Sequence, residues 1–208
     1  MKSSKICFVT FLFVVLALQL SAQEEPDKRN VWTGGQKGYV VSGDLTVLEG
    51  QKTFNIIMDP HIKKMGAKEE PDTVYIKKKV QELNDKKAGN GDKWLEEWNA
   101  AKKNFKAAFI EGFNAKVASK GVNVGLQDTL AEYTFIVYTR NLMEFWGAIY
   151  IILDMDVVKT NDPHAKIASI KFPVNNSNLK SKQFKGMNER AYYGAGNLFG
   201  KYCSKNVF

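Results

Sequence analysis

The chain has 208 residues, of which 30 are Lys or Arg and 22 are Asp or Glu, giving a formal net charge of +8. A hydrophobic content of 44% favours a packed domain over a disordered chain. The positive charge is spread as single and paired lysines with one run at Lys77–Lys79. No nucleic-acid reader motif accompanies it, so we expect no nucleic-acid partner.

The first residues form a pattern typical of an export signal. Lys2 and Lys5 precede the apolar run "ICFVTFLFVVLALQL", and Ala22 offers a small residue at a cleavage point. This run of about fifteen residues is short for a bilayer span, which needs roughly twenty. We therefore predict a signal peptide over residues 1–22 and a soluble, periplasmic or secreted mature protein without a transmembrane segment.

Cleavage would leave a single cysteine and a single domain. Cys203 alone would remain, so we expect no internal disulfide and a buried, small apolar role for this side chain. Residues 23–38 are polar and contain glycine, which predicts a flexible lead-in. Residues 39–208 show neither an internal repeat nor a second domain, and we predict one α+β domain.

The first half of this domain reads as a strand followed by two helices. Thr53–Asp59 has the composition of a strand, and Pro60 is expected to end it. "PDTVYIKKKVQELNDKK" predicts a helix capped by Asp72, and Asp92 is well placed to cap the next one.

The segment Asp92–Ser119 predicts a long helix with an aromatic stripe. At about 100° per residue, five rings fall on one side: Trp94, Trp98, Phe105, Phe109 and Phe113. Exposing all five would be costly and would promote aggregation, so we predict that the phenylalanines belong to the core. The two tryptophans are predicted to pack against the preceding helix, with a ligand or partner contact as the alternative.

The second half reads as three strands and a closing helix. "AEYTFIVYTR", "AIYIILDMDVV" and "AKIASIKFPV" have strand composition, and the middle one places Asp154 and Asp156 on the face opposite its apolar residues. "NERAYYGAGNLFGKYCSK" predicts a helix capped by Asn188 whose glycines allow close packing on the sheet. The order predicts a two-layer sandwich, with a mainly antiparallel sheet of roughly four to five strands and helices packed on one face.

This order of elements resembles a recurring fold of Gram-negative envelope proteins. It is similar to the N-terminal domain of the Tol-system propeller protein and to small lipoproteins that assist lipopolysaccharide assembly or activate peptidoglycan synthases. The chain also resembles secreted bacterial proteins that share "SGDLTVLEGQ" (Ser42–Gln51) and "GDKWLEEW" (Gly91–Trp98). The resemblance implies a non-enzymatic binding or assembly module whose partner is an envelope protein or a glycan or lipid component.

Two sets of residues suggest an enzyme instead. The motif "DPH" occurs twice, ending at His61 and at His164, and two His and two Asp would form a metal site if these segments met. Asp-Pro is also ordinary turn chemistry, and no closely spaced metal-binding motif is present, so we expect no metal and no cofactor. Asp154 and Asp156 could perform acid–base chemistry in a dry cleft, but carboxylates on an open sheet face are more often solvated.

The segment "NLMEFWG", Asn141–Gly147, is unusually apolar for a connection between strands. Either the strands run longer than their composition indicates, or the segment is an exposed anchor for a partner or an apolar ligand. The candidate binding residues are therefore Leu142, Met143, Phe145, Trp146, Trp94 and Trp98. Our leading hypothesis is an exported, non-catalytic binding or assembly module of the bacterial envelope; the alternatives are a small metal-dependent hydrolase and a carbohydrate- or lipid-binding protein.

Overall fold

The computed structural model describes residues 40–125, 130–145, 147–172, 175–176 and 186–208. All of these residues lie within one compact unit of the chain, residues 37–208. The predicted signal peptide and lead-in, residues 1–22 and 23–38, lie outside the described residues.

The described residues form a mixed sheet of seven strands and three α-helices. The strands are β1 (Val40–Gly43), β2 (Thr53–Met65), β3 (Asn123–Val124), β4 (Tyr133–Phe145), β5 (Ala148–Lys159), β6 (Asp162–Lys171) and β7 (Asn175–Asn176). The helices are α1 (Asp72–Lys86), α2 (Asn90–Val117) and α3 (Met187–Asn206). The strand order is β1-β6-β5-β4-β2-β3, and β7 pairs with β5.

The predicted α+β class is confirmed, but the sheet is larger and less uniform than the prediction. The additional strands β1, β3 and β7 have four, two and two residues, too few to give a clear pattern of alternation. β4, β5 and β6 pair antiparallel as predicted, whereas β2 runs parallel to both β3 and β4. The parallel pairing follows from the connection, because α1 and α2 carry the chain from β2 back to the start of β4.

Pro60 does not end β2, contrary to the prediction. The strand continues to Met65, and its register against β4 shifts between Met58 and Ile62. A bulge releases residues from the ladder, so that a proline without an N–H group is accommodated in the middle of a strand. The Asp59 carboxylate accepts a hydrogen bond from the backbone N–H of His61 at 2.8 Å, which holds the bulge.

The three predicted helices are present, but their capping residues differ from the prediction. Residues outside the helices occupy the N-cap positions, namely Pro71, Gly89 and Gly186. The three polar side chains predicted as caps lie in the first turns instead: Asp72, Asp92 and Asn188. Other side chains satisfy the free N–H groups at two of these ends. Asn84 accepts from the Gly91 N–H at 2.7 Å, and Glu189 accepts from the Gly186 N–H at 3.1 Å.

The aromatic stripe of α2 is buried against the sheet and α3, as predicted for its phenylalanines. Phe113 makes edge contacts with Phe135 of β4 at 6.3 Å between ring centroids, and Phe199 of α3 approaches the same ring at 5.8 Å. Phe109 and Phe113 are fully buried. The core therefore lies between one face of the sheet and the pair α2–α3.

Gly196 and Gly200 of α3 face α2 rather than the sheet, which corrects the prediction for these two glycines. A Cβ atom at Gly196 would lie 2.0 Å from the Phe109 carbonyl oxygen, and one at Gly200 would lie 2.6 Å from that of Phe113. The contacts advance in the same direction along both helices, so α2 and α3 are parallel. Gly112 mirrors this arrangement, because its Cβ would lie 2.0 Å from the Tyr193 carbonyl oxygen.

Candidate binding cleft at the β2 bulge

The bulge in β2 opens a cleft between the sheet and the two core helices. Its volume is about 110 Å³. Its lining comes from β2 (Met58, Asp59, Pro60 and Ile62), α2 (Lys102, Phe105 and Lys106) and α3 (Tyr192). The irregular part of the strand is thus also the wall of a site, a placement typical of bulges near functional sites.

Two stacked rings form the inner wall of the cleft. Phe105 and Tyr192 lie 4.1 Å apart between centroids with an interplanar angle of 18°. The Tyr192 hydroxyl shares a 2.6 Å hydrogen bond with Oγ1 of Thr139 on β4, which fixes the ring against the sheet. Burial raises the pKa of Tyr192, so its hydroxyl stays protonated and the residue is neutral at neutral pH.

Two lysines supply the charge of the cleft. Lys102 and Lys106 are one helical turn apart on α2, and both contribute to the lining. Burial lowers the pKa of Lys106, since the charged ammonium loses part of its hydration. Among the described residues that line the cleft, Asp59 is the one acidic residue, and one of its carboxylate oxygens accepts from the His61 N–H. The cleft therefore combines cationic groups with an apolar aromatic wall.

The structure keeps the two Asp-Pro-His segments apart, and the metal site that they suggested is wrong. Asp59–His61 lies in β2 and Asp162–His164 in β6, with β4 and β5 between them. Three inter-strand spacings amount to roughly 14 Å, well beyond shared coordination. In each segment the Asp side chain accepts from the N–H two residues on, at 2.8 and 3.3 Å, so each carboxylate stabilises its own local backbone. The described residues contain no group of three or more side chains able to hold a metal.

Asp154 and Asp156 project from one face of β5, away from the helices, and both have cationic neighbours. Asp156 pairs with Lys166 at 3.0 Å and accepts a 2.6 Å hydrogen bond from the Ser169 hydroxyl. Asp154 lies 3.7 Å from Nε of Arg140. These contacts form an ordered network of charges on the sheet surface.

The predicted binding residues lie in different surroundings. Leu142 and Met143 are paired within the β4–β5 hairpin and are each only 4% exposed, as expected if the strands simply run longer than their composition indicates. Trp98 is buried edge-on to Phe105, while Trp94 is half-buried and stacks on Trp98 at 5.9 Å. Trp146 lies outside the described residues, as does the Phe145 side chain.

Sequence reasoning missed the residues that the cleft brings together. Lys102 and Lys106 are separated by one helical turn and flank the predicted aromatic stripe, which is the available signal. The sequence predicts a helix around Tyr192 but assigns this residue no role in binding. These residues form one cleft only because β2 continues past Pro60 and supplies the opposite wall.

The sequence matches neither a protein-family model nor a curated protein. Among solved structures, the chain is similar to the PelC dodecamer from Paraburkholderia phytofirmans, with 7% identity, coverage of 79% of this chain and 96% of that chain, and a TM-score of 0.36. It is also similar to a Xanthomonas campestris protein of the DUF330 family, with 11% identity, coverage of 74% and 81%, and a TM-score of 0.30. Within the described part of the chain, no helix is both long and apolar enough to cross a bilayer.

Proposed function

We propose that the protein is an exported, non-catalytic binding module of the bacterial cell envelope, and that it holds a small group of an envelope glycan or lipid in the β2 cleft. The export pattern of residues 1–22 supports the location. The observation that carries the binding function is the cleft itself, where a strand bulge, two lysines and a stacked ring pair converge.

The size of the cleft favours a glycan or lipid component over a protein partner. A buried water requires roughly 10–15 Å³ of comparable volume, so a cleft of about 110 Å³ accepts one sugar ring or one headgroup. A peptide segment buries far more surface, and specific protein interfaces cover roughly 800 Å² on each partner. A single projecting group is therefore the better fit.

The chemistry of the lining supports recognition rather than turnover. Aromatic side chains supply apolar contact to a ligand, and ammonium groups supply positive charge and hydrogen-bond donors. The hydroxyl of Tyr192 is already engaged by Thr139 and stays protonated at neutral pH, so it is poorly suited to accept a proton. A small hydrolase built on Asp154 and Asp156 gains no support from the structure, because both carboxylates have cationic neighbours on the opposite face.

Binding to envelope material tests this proposal. Protein purified from the exported fraction of cells that express the full chain would be incubated with isolated sacculi and, separately, with envelope lipid vesicles, and then sedimented. We expect the wild type to be retained by one of these fractions and the double variant Lys102→Ala/Lys106→Ala to be largely released. The matched control is Lys103→Ala, which removes an exposed charge from the same helix outside the cleft lining.

Two results would contradict the proposal. If neither fraction retains the wild type, the protein does not bind these envelope components. If retention is equal for the wild type, the double variant and the control, the contact lies elsewhere on the surface and the cleft is not the site.

A further inference from the structure

We infer that the cleft recognises a phosphate ester, with Lys102 and Lys106 contacting the phosphoryl oxygens and the Phe105–Tyr192 wall contacting the body that carries the phosphate. This inference rests on the proposed function for the place of the ligand and adds its chemical class. Three features of the cleft support it: its charge, the kind of cation it presents, and its apolar wall.

The charge of the lining favours an anion. Two lysines at positions i and i+4 on α2 line the cleft, an arrangement in which like charges lie on the same side of a helix. Asp59 is the one carboxylate in the lining, and no ion pair joins it to Lys102 within the described residues. Among the described lining residues positive charge exceeds negative charge, and this excess attracts an anion.

The kind of cation favours phosphate over carboxylate. The fixed fork of an arginine matches both carboxylate and phosphate, whereas lysine acts as a compact charge with three donors that can turn toward separate oxygens of a tetrahedral oxyanion. The part of the lining that the structure describes contains two lysines and no arginine. Two such groups can reach different oxygens of one phosphoryl group, which a carboxylate with two oxygens in one plane accommodates less well.

The remaining lining defines what the phosphate is attached to. Met58, Ile62 and the Phe105–Tyr192 pair supply apolar contact. Inorganic phosphate would leave this surface uncovered, so a small ring or short carbon body attached to the phosphate should bind more tightly. A phosphorylated glycan and a lipid headgroup share this chemistry.

Solution NMR of the full chain tests the inference at physiological ionic strength. Phenyl phosphate, inorganic phosphate and phenol would each be titrated into uniformly ¹⁵N-labelled protein. We expect phenyl phosphate to shift amides around the cleft, to bind at least about tenfold more tightly than phenol, and to lose at least about tenfold in affinity in Lys102→Ala/Lys106→Ala. Lys103→Ala should change its affinity less than about twofold, because an exposed charge is well screened.

A second readout follows Lys106 directly. Burial holds the pKa of this ammonium below its ordinary value, and a bound anion favours the charged form. The Lys106 side-chain ¹³Cε resonance should therefore titrate at higher pH with saturating phenyl phosphate than without it. An unchanged titration, or equal phenyl phosphate affinity in the double variant, would overturn the inference.

Two further ligands identify the source of the phosphate. A competition experiment then distinguishes failure of the phosphate inference from failure of the proposed function. Glucose 1-phosphate and phosphatidylglycerol vesicles represent the glycan and lipid sources, and the tighter binder identifies the one used. If sacculi or envelope vesicles retain the protein through the cleft but phenyl phosphate does not compete, the phosphate inference fails and the binding function stands. If phenyl phosphate binds in the cleft but no envelope fraction retains the protein, the inference holds and the envelope function fails.

Discussion

The two faces of the sheet are built on different principles, and β5 shows both at once. Toward the helices it presents Ile151, Leu153 and Met155, all at most 1% exposed. Toward the other side it presents Asp154 and Asp156, which have cationic neighbours on β4 and β6. One face gains stability from burial, and the other carries charge at little energetic gain.

This contrast changes where a binding site should be sought. The charged face is the more obvious candidate for a binding site, yet its carboxylates already have partners within the described sheet. The cleft lies on the helix-covered face, at the point where the β2 bulge interrupts close packing. The proposed binding site is thus a local interruption of the core, and substitutions should have their largest effects on that side.

The largest expected effect comes from the contact between α2 and α3. Gly196→Val places a side chain where a Cβ alone would lie 2.0 Å from the Phe109 carbonyl oxygen. Backbone cannot yield as a flexible side chain does, so the helices must separate, and we expect a loss of about 3 kcal/mol or more in the free energy of unfolding. Urea denaturation followed by circular dichroism measures this loss.

The matched control for this substitution is Lys201→Val, an exposed position on the same helix. This variant should lose only roughly 0.5 kcal/mol in the free energy of unfolding, because valine has a lower helix propensity than lysine. Comparable losses for the two variants would show that α2 and α3 are not in close backbone contact.

The second prediction compares one apolar residue from each face of the sheet. Phe109→Ala removes a fully buried ring between α2, α3 and Phe172, and we expect a cost of about 3–5 kcal/mol. Ile57 lies on the opposite side of β2 and is 47% exposed; Ile57→Ala should cost less than about 1 kcal/mol. Similar midpoints of urea unfolding in the two variants would contradict the assignment of the core to the helix side.

Tyr192→Phe tests the hydrogen bond behind the cleft. The substitution leaves the buried Thr139 hydroxyl without the 2.6 Å contact, for an expected cost of about 1–3 kcal/mol at neutral pH. Burial raises the folded-state pKa of Tyr192 above its ordinary value of 10.0, so the folded protein retains a proton that the unfolded chain releases. Its contribution to stability is complete below about pH 10 and falls as the pH rises further.

Unfolding free energies measured between pH 9 and pH 11 test the sign of this effect. The wild type should lose stability more steeply than Tyr192→Phe over this range, because the variant lacks the titrating hydroxyl. Burial also raises the pKa of Cys203. Its effect on stability is the same in both proteins and cancels in the difference between their unfolding free energies. Parallel curves would contradict a buried, protonated Tyr192.

The regular helices and strands could be predicted because each has a characteristic spacing of apolar residues. Alternation along β5 and the stripe on α2 are strong signals, and the structure places both sets of apolar residues in the core. The three helices were likewise predicted from composition and turn residues. Their caps were not, because backbone conformation at Gly89 and Gly186, together with side chains such as Asn84, determines those ends.

The candidate cleft could not be predicted because it depends on a strand that continues past a proline. Pro60 normally indicates the end of a strand, and only the bulge lets β2 continue to Met65. The glycines of α3 were assigned to the wrong neighbour for a related reason. Close packing is visible in the sequence, but whether the partner of Gly196 is a helix or a sheet is decided by tertiary structure.

The smallest expected effect lies on the charged face of the sheet. Lys166→Ala removes the 3.0 Å pair with Asp156, whose carboxylate keeps the hydrogen bond from Ser169. Because the Lys166 side chain is 55% exposed, solvent screens the pair, and we expect a loss of about 0.2–1 kcal/mol that shrinks in 1 M salt. The control is Lys171→Ala, an exposed lysine on the same strand, which should cost less than about 0.5 kcal/mol. A loss above about 2 kcal/mol that persists in high salt would place Lys166 and Asp156 in a dry environment, and the two faces would then differ less than their residues indicate.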